Sequence, residues 1–158
     1  MDKKIKAVGF FVAFEGIDGC GRGTQIGRVA EAVRTWNQNQ DIVLTGESMR
    51  GAELSVNGRM DHYLEIESDV ARSRAVLCRG YAMAALASQS LSGEVTMLDL
   101  IYSHFTANIG APDITFYLAL SADEAVRRRA MRGDSTEDIG SMEFTRRLVA
   151  QYEFLYRE

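Results

Sequence analysis

The chain has 158 residues, which is the length of one globular domain. Hydrophobic residues make up 46% and charged residues 25%, and this composition excludes collagen, low-complexity disorder and a disulfide scaffold. The net charge of −4 argues against nucleic-acid binding but leaves room for a small anionic ligand. No apolar run is long enough to insert into a membrane. Because no secretory signal is visible, we expect reduced thiols at Cys20 and Cys78 and a location in the cytoplasm or an organelle interior.

The first third of the chain alternates strand and helix patterns. Residues 8–14 (VGFFVAF) are apolar on both faces, which predicts a central parallel strand. A glycine-rich segment covers residues 16–23, and apolar residues at helical spacing predict a helix over residues 24–36. Residues 41–45 (DIVLT) predict a second strand. This order is the opening of a right-handed βαβ unit.

The remaining segments continue the alternation. A weak helical pattern with Tyr63, Leu64 and Ile66 lies within residues 49–68. We predict strands over residues 75–78 and 114–120, and helices over residues 81–91, 95–107, 122–132 and 142–156. Ser121 is the expected N-cap of the helix over residues 122–132, with Glu124 completing a capping box. The pattern predicts one α/β domain over residues 1–158.

The glycine-rich segment resembles a phosphate-binding loop. In the pattern G-x-x-x-x-G-K-[ST], backbone N–H groups and the helix N-terminus hold phosphate, Lys reaches the β and γ phosphates, and the hydroxyl binds Mg²⁺. Here the glycine skeleton is intact, but Arg22 stands at the Lys position and Gly23 at the hydroxyl position. Thr24 comes one residue late, which on a helix is a rotation of about 100°. The candidate nucleotide-binding residues are Gly16, Asp18, Gly19, Gly21, Arg22, Gly23 and Thr24.

Several segments together resemble the thymidylate kinases. The segment FEGIDGCGRGTQ (residues 14–25) is similar to the family form FEGIDGAGKSTQ. Residues 44–48 (LTGES), 76–81 (VLCRGY) and 98–118 (LDLIYSHFTANIGAPDITFYL) resemble, in order, the family's TREP-like strand end, its strand ending in DRY, and its helix and strand ending in PDLTIYLD. The resemblance implies a three-layer P-loop NTPase fold with a parallel sheet of about four strands flanked by helices. It also implies a single thymidylate-kinase-like domain that lacks the family's usual last strand and helix.

The departures from the family pattern fall on the groups that carry the reaction. Besides Arg22 and Gly23, the TREP-like Arg is replaced by Gly46, and the DR pair reads Arg79-Gly80. An arginine that helps to hold the thymine base is expected between residues 51 and 74, where the sequence gives no firm position for it. Arg22 and Arg79 are the only candidates we name as substitutes for the missing catalytic cations.

The resemblance also implies ligand-side roles for particular residues. It assigns substrate contacts to Asp18, Glu47, Tyr81 and Gln89, and a lid arginine to Arg132. Thr24 is the candidate Mg²⁺ ligand. Two structural alternatives stay open: the arginines of residues 127–132 can form a solvated helix face, and Tyr81 can belong to the core rather than to a base platform.

These departures lead to three hypotheses. The first is a protein that has lost catalysis and serves a structural or regulatory role, as a subunit of a larger assembly with protein partners or as a homodimer. The second is an active dTMP kinase that transfers the γ-phosphoryl group of ATP to dTMP and uses Mg²⁺. The third is a nucleotide sensor that binds without turnover. Phosphoryl transfer depends on positioning and on neutralising phosphate charge, so the loss of several cationic groups favours the first.

Overall fold

The computed structural model describes residues 6–46, 56–91, 96, 101, 109–135 and 141–157. Helices and strands alternate along this part of the chain. They are β1 (Phe10–Glu15), α1 (Arg22–Trp36), β2 (Ile42–Thr45), α2 (Val56–Ala71), β3 (Ala75–Arg79), α3 (Ala82–Ser90), β4 (Ile114–Tyr117), α4 (Ala122–Arg132) and α5 (Met142–Arg157). Glu47 and nearly all of the helix predicted over residues 95–107 lie outside the described residues.

The four strands form one parallel sheet in the order β2-β3-β1-β4. The two middle strands, β1 and β3, are buried almost throughout, whereas β2 and β4 at the edges keep exposed positions. A strand covered on both faces needs apolar residues at successive positions, and this is the pattern that predicted β1. The sheet and its flanking helices confirm the predicted α/β fold class.

Side chains that alternate along β1 pack against helices on opposite faces of the sheet. Val12 and Phe14 pack with Ile26 and Ala30 of α1, while Phe11 belongs to the cluster on the α2 face. A third cluster joins Ile17 to residues of α3, α4 and α5, among them Ala84, Ala125 and Tyr152. The carboxyl end of β1 therefore lies between two packed helical layers, where parallel sheets bind their ligands.

The predicted and observed boundaries differ where tertiary hydrogen bonds intervene. The first strand begins two residues later than predicted, because Val8 is exposed and its N–H donates to Gln40 Oε1 (3.0 Å) instead of to a strand. The fourth strand ends at Tyr117, after which the Leu118 N–H donates to the Glu15 carbonyl (2.9 Å). In α2, Ile66 is buried but Leu64 is 51% exposed, so the expected stripe is only partly apolar.

The structure confirms Ser121 as the N-cap of α4, but the reciprocal contact of Glu124 that would complete the predicted capping box does not form. Ser121 precedes α4, and its hydroxyl accepts a hydrogen bond from the Glu124 N–H (3.3 Å). The Glu124 carboxylate pairs with Arg127 and Arg128. No helix in the described part of the chain is long and apolar enough to cross a membrane.

Candidate functional site

A cavity of 360 Å³ lies at the carboxyl end of β1 and the N-terminus of α1. We call it the loop cavity. The loop that joins β1 to α1 forms one side, and arginines from β3 and α4 contribute the other. Its lining residues are Ile17, Asp18, Gly19, Gly21, Arg22, Gly23, Thr24, Arg79, Arg128 and Arg132.

The loop backbone has the turns that glycine permits. Gly16 (φ 136°), Gly19 (φ 92°) and Gly21 (φ 98°) all have positive φ. At Gly19 a side chain is doubly disfavoured, because a Cβ there would lie 2.9 Å from the Ala125 carbonyl oxygen of α4. Gly21 precedes α1 without a side-chain cap, so the positive end of the helix dipole faces the cavity. The backbone therefore has the features of an anion-binding site.

Arg22 replaces the usual lysine and lies along the loop. Its Nη2 is 2.7 Å from Asp18 Oδ1, an ion pair between residues four apart. The Arg22 side chain is only 12% exposed, whereas that of Asp18 is 63% exposed. The planar guanidinium is thus held by a carboxylate of the same loop, at the mouth of the loop cavity.

The glycine at position 80 makes room for Arg22. Gly80 follows β3 and has φ 77°. A Cβ at this position would lie 3.0 Å from Arg22 Nη1, so a side chain there would press on the guanidinium. Two departures from the family pattern, Arg22 and Gly80, therefore fit each other in space.

The electrostatic surroundings keep Arg22 charged and Cys20 neutral. Burial opposes the charged form of Arg22, but neighbouring groups, with Tyr152 and Asp18 the strongest, act in the other direction and raise its pKa. Burial raises the pKa of the Cys20 thiol, against the opposing effect of Arg22. The Cys20 side chain packs against the cluster around Ile17.

Three further arginines converge on the loop cavity. Arg79 is exposed at the end of β3, and Arg128 and Arg132 come from α4. The Arg128 Nη1 lies 3.5 Å from the Gly19 carbonyl oxygen, which ties α4 to the loop. Sequence analysis named Arg79 and Arg132 as site candidates and gave Arg128 no individual role. The part of α4 that carries Arg128 and Arg132 therefore lines the loop cavity.

The side chains present do not fit Mg²⁺ well. Position 23 has no hydroxyl, and the exposed Thr24 is one residue further along α1. Asp18, the acidic residue of the lining, is paired with Arg22. Within the described ranges, no group of three His, Cys, Asp or Glu side chains is arranged to hold a metal ion. Thr24 thus lines the cavity, and its role as a metal ligand stays a prediction.

Glu15 links the loop to α3, a connection that the sequence did not reveal. The buried carboxylate accepts hydrogen bonds at Oε1 from the N–H groups of Tyr81 (2.9 Å) and Met83 (3.1 Å), where α3 begins. Oε2 has no hydrogen-bond partner among the described residues. Burial raises the pKa of Glu15 to about 7, although the backbone N–H donors and Arg22 lower it. Only its position next to Gly16 could have drawn attention to it.

Two predicted substrate residues lie away from the loop cavity. Tyr81 is buried, packs edge-on against Phe11 and donates from its hydroxyl to the Gly110 carbonyl (2.9 Å). Gln89 on α3 accepts a hydrogen bond at Oε1 from Arg59 Nη1 (3.3 Å). The structure thus places Tyr81 in the core and Gln89 beside a buried arginine, and their substrate roles stay predictions.

Arg59 is another residue that sequence analysis missed. It lies on α2, within the interval where a base-holding arginine was expected, and it is only 1% exposed. The helical pattern of the segment that forms α2 was weak, and nothing in the local sequence distinguishes Arg59 from the surface arginines. The hydrogen bond to Gln89 is the tertiary contact that singles it out.

Comparison with known proteins decides the family. The sequence model described as thymidylate kinase matches residues 45–158, well over half of the chain. The chain belongs to the thymidylate kinase family. The match of this model begins at residue 45, after the glycine-rich loop and α1.

Individual thymidylate kinases extend the similarity over the loop. The chain is 28% identical to the thymidylate kinase of Caulobacter vibrioides over 171 residues, with 91% of this chain and 81% of the relative covered. It is 30% identical to the probable thymidylate kinase of Methanococcus vannielii over 156 residues, covering 90% and 75%. For the thymidylate kinase of Thermoanaerobacter sp. the identity is 26% over 177 residues, covering 95% and 85%.

Proposed function

We propose that this member of the thymidylate kinase family binds the phosphate groups of a nucleotide in the loop cavity and no longer transfers them efficiently. Such a protein serves a regulatory or structural role. One observation carries the proposal: the guanidinium at the lysine position is ion-paired with Asp18 of the same loop.

The geometry of Arg22 argues against efficient transfer. A lysine at this position reaches the β and γ phosphates as a compact ammonium. Arginine has a wide planar fork, and here one side of that fork faces Asp18 while the other faces Gly80. To act on a transferring phosphoryl group, Arg22 must first leave its carboxylate partner.

The combined loss of cationic groups points the same way. Removing a single preorganised donor commonly lowers the rate by about 10²–10³. The lysine and the metal-binding hydroxyl of the loop are absent, and Gly46 and Gly80 replace two arginines of the family pattern. Even where such effects are not additive, the loss of several groups leaves little of the rate enhancement.

Binding is better supported than transfer. The glycine turns, the uncapped start of α1 and the four arginines all favour an anion in the loop cavity. Arginine is well suited to holding phosphate, because its donors match two oxygens at once. The cavity therefore supports the nucleotide sensor among the three hypotheses.

Two measurements on the purified protein test the proposal: its melting temperature with and without ATP, and its rate of ADP formation. With ATP and dTMP present, we expect ATP to raise the melting temperature of the protein, because a ligand that binds only the native state stabilises it. With MgCl₂ added, we expect no dTMP-dependent ADP formation above that of an Arg22→Ala variant. ADP formation at a rate typical of kinases, lost in Arg22→Ala, would overturn the loss of catalysis. The absence of any thermal shift would overturn nucleotide binding.

An active dTMP kinase is the second candidate, and Arg79 is the observation that favours it. Arg79 lines the loop cavity one residue before the position of the family's arginine, so it can add positive charge near a bound phosphate. If Arg79 substitutes for that residue, Arg79→Met must abolish dTMP-dependent ADP formation while leaving the protein folded.

The expected protein partner or second copy stays a prediction. The described sheet ends at β4, where Ile114 and Phe116 are 51% and 46% exposed. Large apolar side chains on an edge strand favour association with another chain. Sedimentation of the purified protein tests whether a second copy covers this edge. A dimer that becomes monomeric in Phe116→Glu would support it, and a wild-type protein that sediments as a monomer would argue against a second copy.

A further inference from the structure

We propose that the loop cavity takes an oligophosphate chain directly on its arginines, without a divalent cation, so that Mg²⁺ weakens binding. This inference rests on the proposed nucleotide binding and specifies the form of the ligand. It follows from three features of the cavity: its charge, the state of its acidic residue, and the side chain missing at position 23.

The charge of the lining suits a metal-free phosphate chain. Four arginines and one aspartate line the loop cavity, which gives a formal charge of plus three. A triphosphate without metal carries more negative charge than its Mg²⁺ complex, so it gains more from this field. A free divalent cation is repelled by the same field.

Ion pairs around the cavity do not cancel this charge. Arg128 pairs with Glu124, and Arg132 pairs with Asp134. Each of these carboxylates is shared with a second arginine of α4, Arg127 in one case and Arg129 in the other. Glu124 and Asp134 thus add two negative charges, and Arg127 and Arg129 add two positive charges. With these four residues included, the formal charge around the cavity is still plus three.

The acidic residue of the lining is already engaged. Asp18 Oδ1 lies 2.7 Å from Arg22 Nη2, so a metal ion would have to compete with a guanidinium for this carboxylate. Phosphate oxygens instead compete with Asp18 for the guanidinium, in an exchange of one anion for another. The Asp18–Arg22 pair therefore favours a ligand that brings negative charge.

Position 23 allows a clean test, because a side chain fits there. A Cβ at Gly23 would meet no atom of the described chain within 4 Å, and the residue lies in the first turn of α1. Gly23→Ser therefore restores the hydroxyl without disturbing the loop. Gly23→Ala is the matched control, with the same backbone change and no oxygen.

The experiment titrates ATP and inorganic tripolyphosphate into the wild-type protein by calorimetry, in excess EDTA and in excess MgCl₂. We expect ATP to bind about tenfold or more tightly in EDTA. We expect Gly23→Ser, but not Gly23→Ala, to reduce this difference. A wild-type protein that binds ATP only with MgCl₂, or a Thr24→Ala variant that loses Mg²⁺-dependent binding, would overturn the inference and leave nucleotide binding standing.

Three other outcomes are distinguished by the same titrations. If neither ATP nor tripolyphosphate binds in either medium, the proposed function fails and this inference fails with it. If tripolyphosphate binds as tightly as ATP in EDTA, the inference is supported, and the cavity binds the phosphate chain without contributions from the nucleoside. Tighter binding of ATP than of tripolyphosphate, again in EDTA, supports it with an added contribution from the nucleoside.

Discussion

Arg22 in the phosphate-binding loop and Arg59 on α2 are both largely shielded from solvent, yet their surroundings differ. Arg22 is paired with an exposed carboxylate at the edge of an open cavity. Arg59 is 1% exposed and donates to Gln89 inside the protein. A guanidinium beside an exposed partner can exchange that partner for a ligand, whereas one in the interior cannot leave its acceptor without cost. We therefore expect Arg22 to determine ligand affinity and Arg59 to determine stability.

The largest effect is expected at Arg59. Arg59→Ala removes a large buried side chain and leaves the Gln89 acceptor without this donor, so the free energy of unfolding should fall by about 3 kcal/mol. Urea denaturation measures the loss. Arg79→Ala is the control, with a weaker affinity for ATP and an unchanged stability. Equal stability losses in Arg59→Ala and Arg79→Ala would break the comparison.

Glu15 connects the glycine-rich loop to the start of α3 and makes stability depend on pH. Burial raises its pKa from 4.5 to about 7 in the folded protein, so between these values the folded state holds the proton more tightly than the unfolded state. The contribution of Glu15 to the free energy of unfolding should therefore be largest below pH 4.5, decrease as the pH rises towards 7, and level off above it. The total decrease from Glu15 is of the order of 3 kcal/mol.

Glu15→Gln is the matched variant for this pH dependence. The amide oxygen can still accept from the Tyr81 and Met83 N–H groups, but it does not ionise. Urea denaturation at several pH values should show a flatter profile for the variant and a higher stability than wild type above pH 7. A variant with the same slope as wild type would show that another group titrates.

Gly19→Ala tests the contact between the loop and α4. The positive φ and the approach of the new Cβ to the Ala125 carbonyl should together lower the free energy of unfolding by about 2 kcal/mol. Because Gly19 lines the cavity, the affinity for ATP should fall as well. Gly23→Ala, where a Cβ has open space, is the control and should leave stability nearly unchanged. If both variants behaved alike, strain and the approach to Ala125 would not explain the glycine at position 19.

The smallest effect is expected at the cap of α4. Ser121→Ala removes the hydroxyl that accepts from the Glu124 N–H, and stability should fall by about 1 kcal/mol. Since Arg128 and Arg132 lie towards the other end of α4, the affinity for ATP should not change. Ser141→Ala removes the equivalent bond to the Phe144 N–H of α5 and should cost a similar amount. Loss of ATP affinity in Ser121→Ala alone would show that the whole helix positions its arginines.

The elements that were predicted correctly depend on neighbours close in the chain. The apolar run of β1, the glycine turns and the Ser121 cap each follow from the chemistry of a few consecutive residues. The weak pattern of α2 was less informative, because a helix on the surface of a sheet needs only a few apolar contacts. Its bounds became clear only from its packing against β1 and β3.

By itself, the sequence determined the order of the described strands, the glycine-rich loop between β1 and α1, and the positions where that loop departs from the family pattern. Only the tertiary structure decided that Arg22 lies against Gly80, that Arg59 contacts Gln89 and that α4 brings Arg128 to the loop. The reason is physical. Periodicity and capping record interactions within one or two turns, whereas these contacts join separate elements whose distance depends on how helices pack across the sheet.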